Sequence, residues 1–247
     1  MHHSEYIKEV KNASNAVLFI HGICGTPRHF DPFIPLIPEG WSVRNILLDG
    51  HGKGVKDFSD SSMKKWIGQV KSVLDDLCQH HKNIVICAHS MGTLFAIREA
   101  ISRPERVKAL FLLASPLKIF MKPIAVKRSL KIAFNVIDEN NESEKSGKEA
   151  YGIESDKRLW RYLGWIPRYI ELFRESSEVS KLVSSIPCPS SFYQSKNDEL
   201  VSSSSEKFLK DIPNVRLCIL QSSSHFHYSQ KDLDFLKNEF SQTLDNI

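Results

Sequence analysis

Ile84-Val85-Ile86-Cys87-Ala88-His89-Ser90-Met91-Gly92-Thr93-Leu94-Phe95-Ala96-Ile97 carries one apolar run into another through a single serine. The first half reads as a buried strand and the second as a helix, so Ser90 falls where the chain turns between them. A turn this abrupt strains the serine backbone. It also brings strand and helix so close that the residues two before and two after the serine must be small. Ala88 and Gly92 meet that demand. The usual pattern is G-x-S-x-G, and alanine at its first position departs from it by one methyl group.

On either side of this stretch, short β-branched apolar runs alternate with longer amphipathic ones, the pattern of strands joined by crossover helices into a parallel sheet. The strands predicted are Ala16 to Ile20, Val43 to Leu48, Ile84 to Ala88, Val107 to Leu113, Ser190 to Gln194 and Val215 to Leu220. Their nearly continuous apolar character fits strands covered on both faces. A crossover helix starts near Ser61 or Ser62 and repeats Trp66, Ile67, Val70, Val73, Leu74 and Leu77 at helical spacing. The chain closes with an amphipathic helix, Asp232 to Leu244. Ser202 to Ser205 opens a further helix, serine being a favoured cap.

From Ser115 to about Pro189 the alternation stops, and a helical pattern intervenes: Leu117 to Ile137, a polar stretch Asp138 to Lys148, then Lys157 to Arg174. The first part is basic and amphipathic, as either a solvated helix face or a lipid-surface contact would be. The last part is aromatic, with Trp160, Trp165 and Tyr169 as candidate substrate contacts.

Composition sets the outer bounds. The 247 residues are 41% hydrophobic and 25% charged with a formal charge of +4, enough apolar material for one large domain and too little charge to call for a polyanionic partner. No nucleic-acid-binding motif accompanies the charge. Cys24, Cys78, Cys87, Cys188 and Cys218 form no C-x-x-C pair and are odd in number, so they read as reduced thiols of a cytoplasmic protein. The start of the chain has neither the basic region nor the apolar run of a signal peptide. No histidine or cysteine group has metal spacing, and no cofactor is called for.

A serine hydroxyl needs a general base, and the base needs an acid to orient it. On a strand–serine–helix scaffold the expected chain order is Ser, then Asp or Glu, then His. Asn197-Asp198-Glu199-Leu200-Val201 follows one strand and Ser222-Ser223-Ser224-His225-Phe226-His227 the next. Asp198 is the candidate acid with Glu199 as its neighbour and competitor, and His225 is the candidate base with His227 as its own. Asp232 and Asp234 come after His225 and fit the order worse. Acyl transfer also needs donors for a developing oxyanion. The turn His21-Gly22-Ile23-Cys24-Gly25 and the elbow offer the N–H groups of Ile23 and Met91.

These segments, with Asp49-Gly50-His51-Gly52 and the helix of Trp66, resemble the α/β-hydrolase superfamily over nearly the whole chain. Within it, the resemblance is to compact bacterial carboxylesterases and monoacylglycerol-lipase-like serine hydrolases. It implies a single α/β-hydrolase domain over 1–247, a mainly parallel sheet flanked by helices, with a helical cap inserted at 116–186. It further implies Ser90 as nucleophile, Asp198 as acid, His225 as base, and Ile23 with Met91 as the oxyanion hole. His21, His51 and His89 take packing or loop-shaping roles in this reading, and Cys24 is a bystander. The expected substrate is a small-molecule ester of a short- to medium-chain acyl group. Thioester, amide or peptide, and acyl-transfer chemistry use the same three residues, and a hydrolase-fold binding protein without catalysis needs none of them.

Overall fold

In a computed structural model, which describes residues 3–120, 131 and 142–247, seven strands form one sheet. They are β1 (Tyr6–Lys8), β2 (Asn15–Ile20), β3 (Ser42–Ile46), β5 (Asn83–His89), β6 (Val107–Leu113), β8 (Ser190–Ser195) and β9 (Val215–Leu220). Two further short strands, β4 (Lys53–Gly54) and β7 (Ile153–Glu154), pair with each other in parallel outside this sheet. The order across the sheet is β1-β3-β2-β5-β6-β8-β9. Every pairing is parallel except that of β1 with β3 at the edge.

The alternation of side chains along a strand explains why these strands are apolar at successive positions. In β2, Ala16, Leu18 and Ile20 join one core with Trp66, Val70 and Leu74, while Val17 and Phe19 join another with Phe30, Phe33, Leu236 and Phe240. The first core is covered by α2 (Met63–His80) and α3 (Met91–Ser102), the second by α6 (Gln230–Asp245) and the turns after β2. Helix α2 starts where its sequence says it should. The Ser62 hydroxyl accepts the Lys65 N–H at 3.2 Å, a cap that contributes about 1 kcal/mol. Its stripe Met63, Trp66, Val70, Leu74 and Leu77 is buried, and Ile67 and Val73 pack at its margin.

Between β6 and β8 lie α4 (Glu142–Ala150), β7, a 3-10 helix at Leu159–Trp165 and α5 (Ile166–Val179). The amphipathic helix expected over Leu117 to Ile137 falls mostly outside the described residues. The polar stretch Asp138 to Lys148 ends in helix, since α4 begins at Glu142. Among the described side chains of α4, Gly147 and Ala150, three residues apart, are the buried ones, so hydrophobic periodicity had no large side chain to register there. The aromatic stretch from Lys157 splits in two, 3-10 turns first and α-helix once Pro167 enters the opening turn of α5.

This segment is fastened to the sheet scaffold at several points. The short α1 (Val55–Ser59) packs on the 3-10 turns, with the Phe58 and Trp165 ring centroids 4.7 Å apart. Arg98 of α3 is ion-paired to Glu175 and Glu178 of α5. Ser202 accepts the Ser204 N–H and opens the 3-10 helix Ser203–Phe208, so the serine run starts a 3-10 rather than an α-helix. Among the described residues no helix is long and apolar enough to cross a membrane, and all five cysteines are free thiols.

Candidate active site

Ser90 follows β5 directly, and the loops after β2, β8 and β9 bring Gly22, Asp198 and His225 around it. Its backbone lies at φ 51° and ψ −125°, in the positive-φ region that a side chain normally avoids. The elbow is held by Ser90 N–H donating to Leu113 O at 2.9 Å and Ser90 C=O accepting the Thr93 N–H and hydroxyl. The demand for small neighbours is explicit in the distances. A Cβ on Gly92 would stand 2.2 Å from the Ile20 carbonyl oxygen, and one on Gly22 would stand 2.7 Å from the Ser90 Cβ. Ala88 is fully buried in β5 and keeps its methyl group.

Ser90, His225 and Asp198 come together in the order the sequence suggested. The Ser90 hydroxyl lies 3.1 Å from His225 Nε2, and His225 Nδ1 lies 2.8 Å from Asp198 Oδ2. Asp198 Oδ1 accepts the N–H groups of Leu200 and Val201, each at 2.8 Å. Burial opposes charge on Asp198, but His225 and these hydrogen bonds outweigh it and hold the carboxyl below the ordinary range. Burial likewise opposes charge on His225, and the Asp198 carboxylate, its hydrogen bond and Glu199 reverse that and hold the imidazole above 6.5.

The competitors are placed elsewhere. Glu199 Oε2 accepts the backbone N–H of His225 at 3.3 Å. His227 Nδ1 lies 3.1 Å from the Ser146 hydroxyl of α4. Asp232 accepts Ser222 N–H and the Ser223 hydroxyl, tying the loop that carries His225 to the start of α6. Cys24 stays a protonated thiol: burial pushes it up to about 12, against a smaller opposite effect of the Tyr169 hydroxyl 3.8 Å away.

Buried His21, His51 and His89 and half-buried His29 lie around the site, and desolvation depresses each below its ordinary value, His29 to about 3 and His51 to about 4. They act as neutral rings. His21 Nδ1–H donates to Gly22 C=O at 2.8 Å, and its Nε2 accepts the Leu48 N–H at 3.0 Å. In a planar trans peptide the C=O and N–H point opposite ways, so this bond orients the Ile23 N–H. His89 Nε2 donates to the His225 carbonyl at 3.0 Å, and the His29 ring stacks 3.9 Å from that of His89. Sequence reasoning gave His21, His51 and His89 only general roles, and it passed over His29 and Glu199's hold on the His225 main chain. The carbonyl and amide partners that define these roles leave no mark in a sequence.

Of the candidate substrate contacts, Tyr169 reaches Cys24 in the turn after β2. Trp165 donates its indole N–H to Val55 C=O at 3.2 Å and packs on Phe58, while Trp160 is 67% exposed. Met91 is the first residue of α3 and fully buried, and Ile23 is half-buried beside Cys24. Among the described residues no group of three or more His, Cys, Asp or Glu side chains is arranged to hold a metal ion.

A strained serine on a strand-to-helix elbow, amid a mostly parallel sheet in this strand order, defines an α/β-hydrolase. A family model described as serine aminopeptidase, S33, matches residues 11–231, and the chain belongs to that family. It is 27% identical over 96 residues to a thermostable monoacylglycerol lipase of Bacillus sp. (strain H-257), a match covering 38% of each chain. It is 32% identical over 112 residues to a pimeloyl-[acyl-carrier protein] methyl ester esterase of Neisseria meningitidis, covering 44% of this chain and 39% of that one. Both matches thus span about two-fifths of the relatives' length. The fold is shared along its whole length with a monoacylglycerol lipase of Paleococcus ferrophilus, at TM-score 0.70, 15% identity and 99% coverage of both chains. The chain is therefore an α/β-hydrolase of the S33 family.

Proposed function

We propose that this protein hydrolyses carboxylic esters of short- to medium-chain acyl groups through a Ser90–His225–Asp198 triad. The observation that carries the reading is the continuous hydrogen-bonded line from Ser90 Oγ through both nitrogens of His225 to Asp198, buried at the carboxyl end of the sheet. The Asp198 carboxylate fixes the tautomer with the proton on Nδ1, leaving the Nε2 lone pair facing the serine. As Ser90 Oγ attacks the ester carbonyl, Nε2 takes its proton, and Asp198 stabilises the imidazolium. The N–H groups of Ile23 and Met91 receive the oxyanion. The imidazolium then protonates the leaving alcohol, and water attacks the acyl-enzyme by the same path, releasing the acid and restoring Ser90.

In this reading the segment at 116–186 is a cap inserted into a single domain, and its contacts bring Tyr169 over the oxyanion loop as the candidate wall of the acyl pocket. Trp165 is given a packing role instead, since its indole is bonded to α1. The test is turnover of p-nitrophenyl esters from two to sixteen acyl carbons by the wild type, Ser90→Ala and His225→Ala. Turnover lost by about 10⁴-fold or more in both variants supports the reading, and the chain-length optimum sizes the pocket. A wild type inert across the series overturns the ester assignment and directs the same chemistry to thioesters, amides or acyl transfer.

A further inference from the structure

The turn that carries Ile23 is held peptide by peptide, and two of its holds come from outside it. Cys24, the next residue, has φ 55°, a left-handed conformation disfavoured for a residue with a side chain. Its N–H donates to His51 Nε2 at 3.1 Å, and its C=O accepts the Gly152 N–H at 2.7 Å. His51 comes from the loop after β3, and Gly152 from the segment between α4 and β7. The His51 tautomer is fixed. Nδ1–H lies 3.2 Å from the carbonyl oxygens of both Leu48 and Asp49, so Nε2 is free to accept. Burial keeps the ring neutral, with its pKa lowered to about 4. Gly152 is itself pinned, its carbonyl accepting the Gly52 N–H at 2.6 Å. A Cβ there would stand 2.4 Å from the Gly25 carbonyl oxygen.

We propose that His51 and Gly152 are positioning residues for the oxyanion hole, clamping the two peptide groups of Cys24 so that the neighbouring Ile23 N–H keeps its aim at the reacting carbonyl. The inference rests on the Ser90 mechanism proposed above. Neither residue touches substrate. His21 orients the peptide whose N–H is the donor, and His51 and Gly152 stop the next residue from relaxing out of its strained conformation and swinging that peptide away. Gly152 belongs to the segment between β6 and β8, so the clamp couples the placement of that segment to catalysis. Contacts made to substrate in the ground state do not depend on the clamp, and contacts made to a tetrahedral oxyanion do.

The test compares His51→Leu, His51→Gln and Gly152→Ala with the wild type. Glutamine can place an acceptor where Nε2 stood; leucine cannot. Three quantities are read: kcat and KM for a p-nitrophenyl ester, the inhibition constant of an alkylboronic acid, and the thermal unfolding midpoint. The boronic acid accepts Ser90 Oγ at boron and becomes tetrahedral, so its affinity reports the oxyanion hole. The expected result for His51→Leu and Gly152→Ala is kcat lower by about 10- to 100-fold, KM changed by less than about threefold, and boronic-acid affinity weakened in step with kcat. His51→Gln regains most of the loss. A folded His51→Leu protein with kcat within twofold of wild type overturns the inference. So does a loss of kcat with unchanged boronic-acid affinity, or a glutamine variant as impaired as leucine. Should His51→Leu fail to fold, Gly152→Ala decides by the same criteria. A wild type that neither turns over the ester nor binds the boronic acid refutes the Ser90 mechanism itself, a failure distinct from variants that behave like an active wild type.

Discussion

Glu199 holds the main chain of His225, its Oε2 accepting the His225 backbone N–H at 3.3 Å, while Asp198 beside it holds the imidazole at 2.8 Å. Two adjacent carboxylates thus serve one histidine in different ways. The expected outcome is a wide separation on neutralising them. Asp198→Asn loses the charge that stabilises the imidazolium and the acceptor that fixes its tautomer, and kcat falls about 10⁴-fold. Glu199→Gln retains an acceptor for the backbone N–H and stays within about tenfold of wild type. Steady-state kinetics of the two purified variants check this, and the reverse ranking reassigns the acid.

The same pair sets a pH dependence. In the proposed mechanism His225 must be neutral to accept the serine proton, and its pKa is raised above 6.5, so an acid limb of kcat/KM above pH 6.5 is expected in the free enzyme. Asp198 is shifted down and stays ionised across that range. Glu199 contributes to the raised value, so Glu199→Gln moves the limb to lower pH. A pH–rate profile measures both, and a limb below pH 6.5 in the wild type contradicts the electrostatic account.

Stability carries the opposite signature at low pH. His29, at about 3, and His51, at about 4, are depressed below the unfolded value of 6.5, so the unfolded chain takes up protons first as the pH falls. At pH 5 each costs about 2 kcal/mol of stability relative to pH 7. The raised pKa of His225 works the other way, favouring the folded state below 6.5 and losing that contribution as the pH rises through its folded value. With His21 and His89 also depressed, the destabilising sign wins. Thermal melts are expected to fall clearly from pH 7 to pH 5, with a flatter slope in His29→Phe. Equal midpoints at the two pH values contradict this.

Legibility in the sequence followed side-chain size. The strands Val107–Leu113 and Val215–Leu220 begin and end where their apolar runs do, and Ser62 caps α2 where serine was expected. The proposed triad of Ser90, Asp198 and His225 could be suggested from sequence because an elbow needs small neighbours and the chain order is constrained. What escaped is made of backbone. The strands β1, β4 and β7 are two or three residues long and carry no pattern, and the buried residues described in α4 are a glycine and an alanine. Asp49-Gly50-His51-Gly52 stood out as a motif, yet its hold on Cys24 is an imidazole-to-amide bond between loops 27 residues apart in sequence. The contacts of Trp165 with Val55 C=O and Phe58 were not legible either, because aromatic spacing does not say which neighbour each face of a helix meets.

The elbow makes a stability prediction independent of substrate. Ser90 pays for its positive φ with its Cβ, so Ser90→Gly is expected to be more stable than Ser90→Ala by about 1 kcal/mol, or about 2–4 °C in Tm. Gly92→Ala points the other way, since its Cβ would overlap the Ile20 and His21 carbonyl oxygens, and it is expected to cost about 3 kcal/mol or more or to prevent folding. Comparative unfolding of the three variants checks both. A Gly92→Ala protein as stable as wild type contradicts the close strand–helix approach.

The most direct test of the central claim is to treat the protein with an alkyl fluorophosphonate and map the adduct by peptide mass spectrometry. Phosphorus is attacked by a hydroxyl made nucleophilic by its general base, whatever the natural acyl substrate. The account predicts a single adduct on Ser90, absent in Ser90→Ala and formed at least about 10³-fold more slowly in folded His225→Ala. An adduct on another residue, or labelling of Ser90 at the wild-type rate without His225, contradicts it.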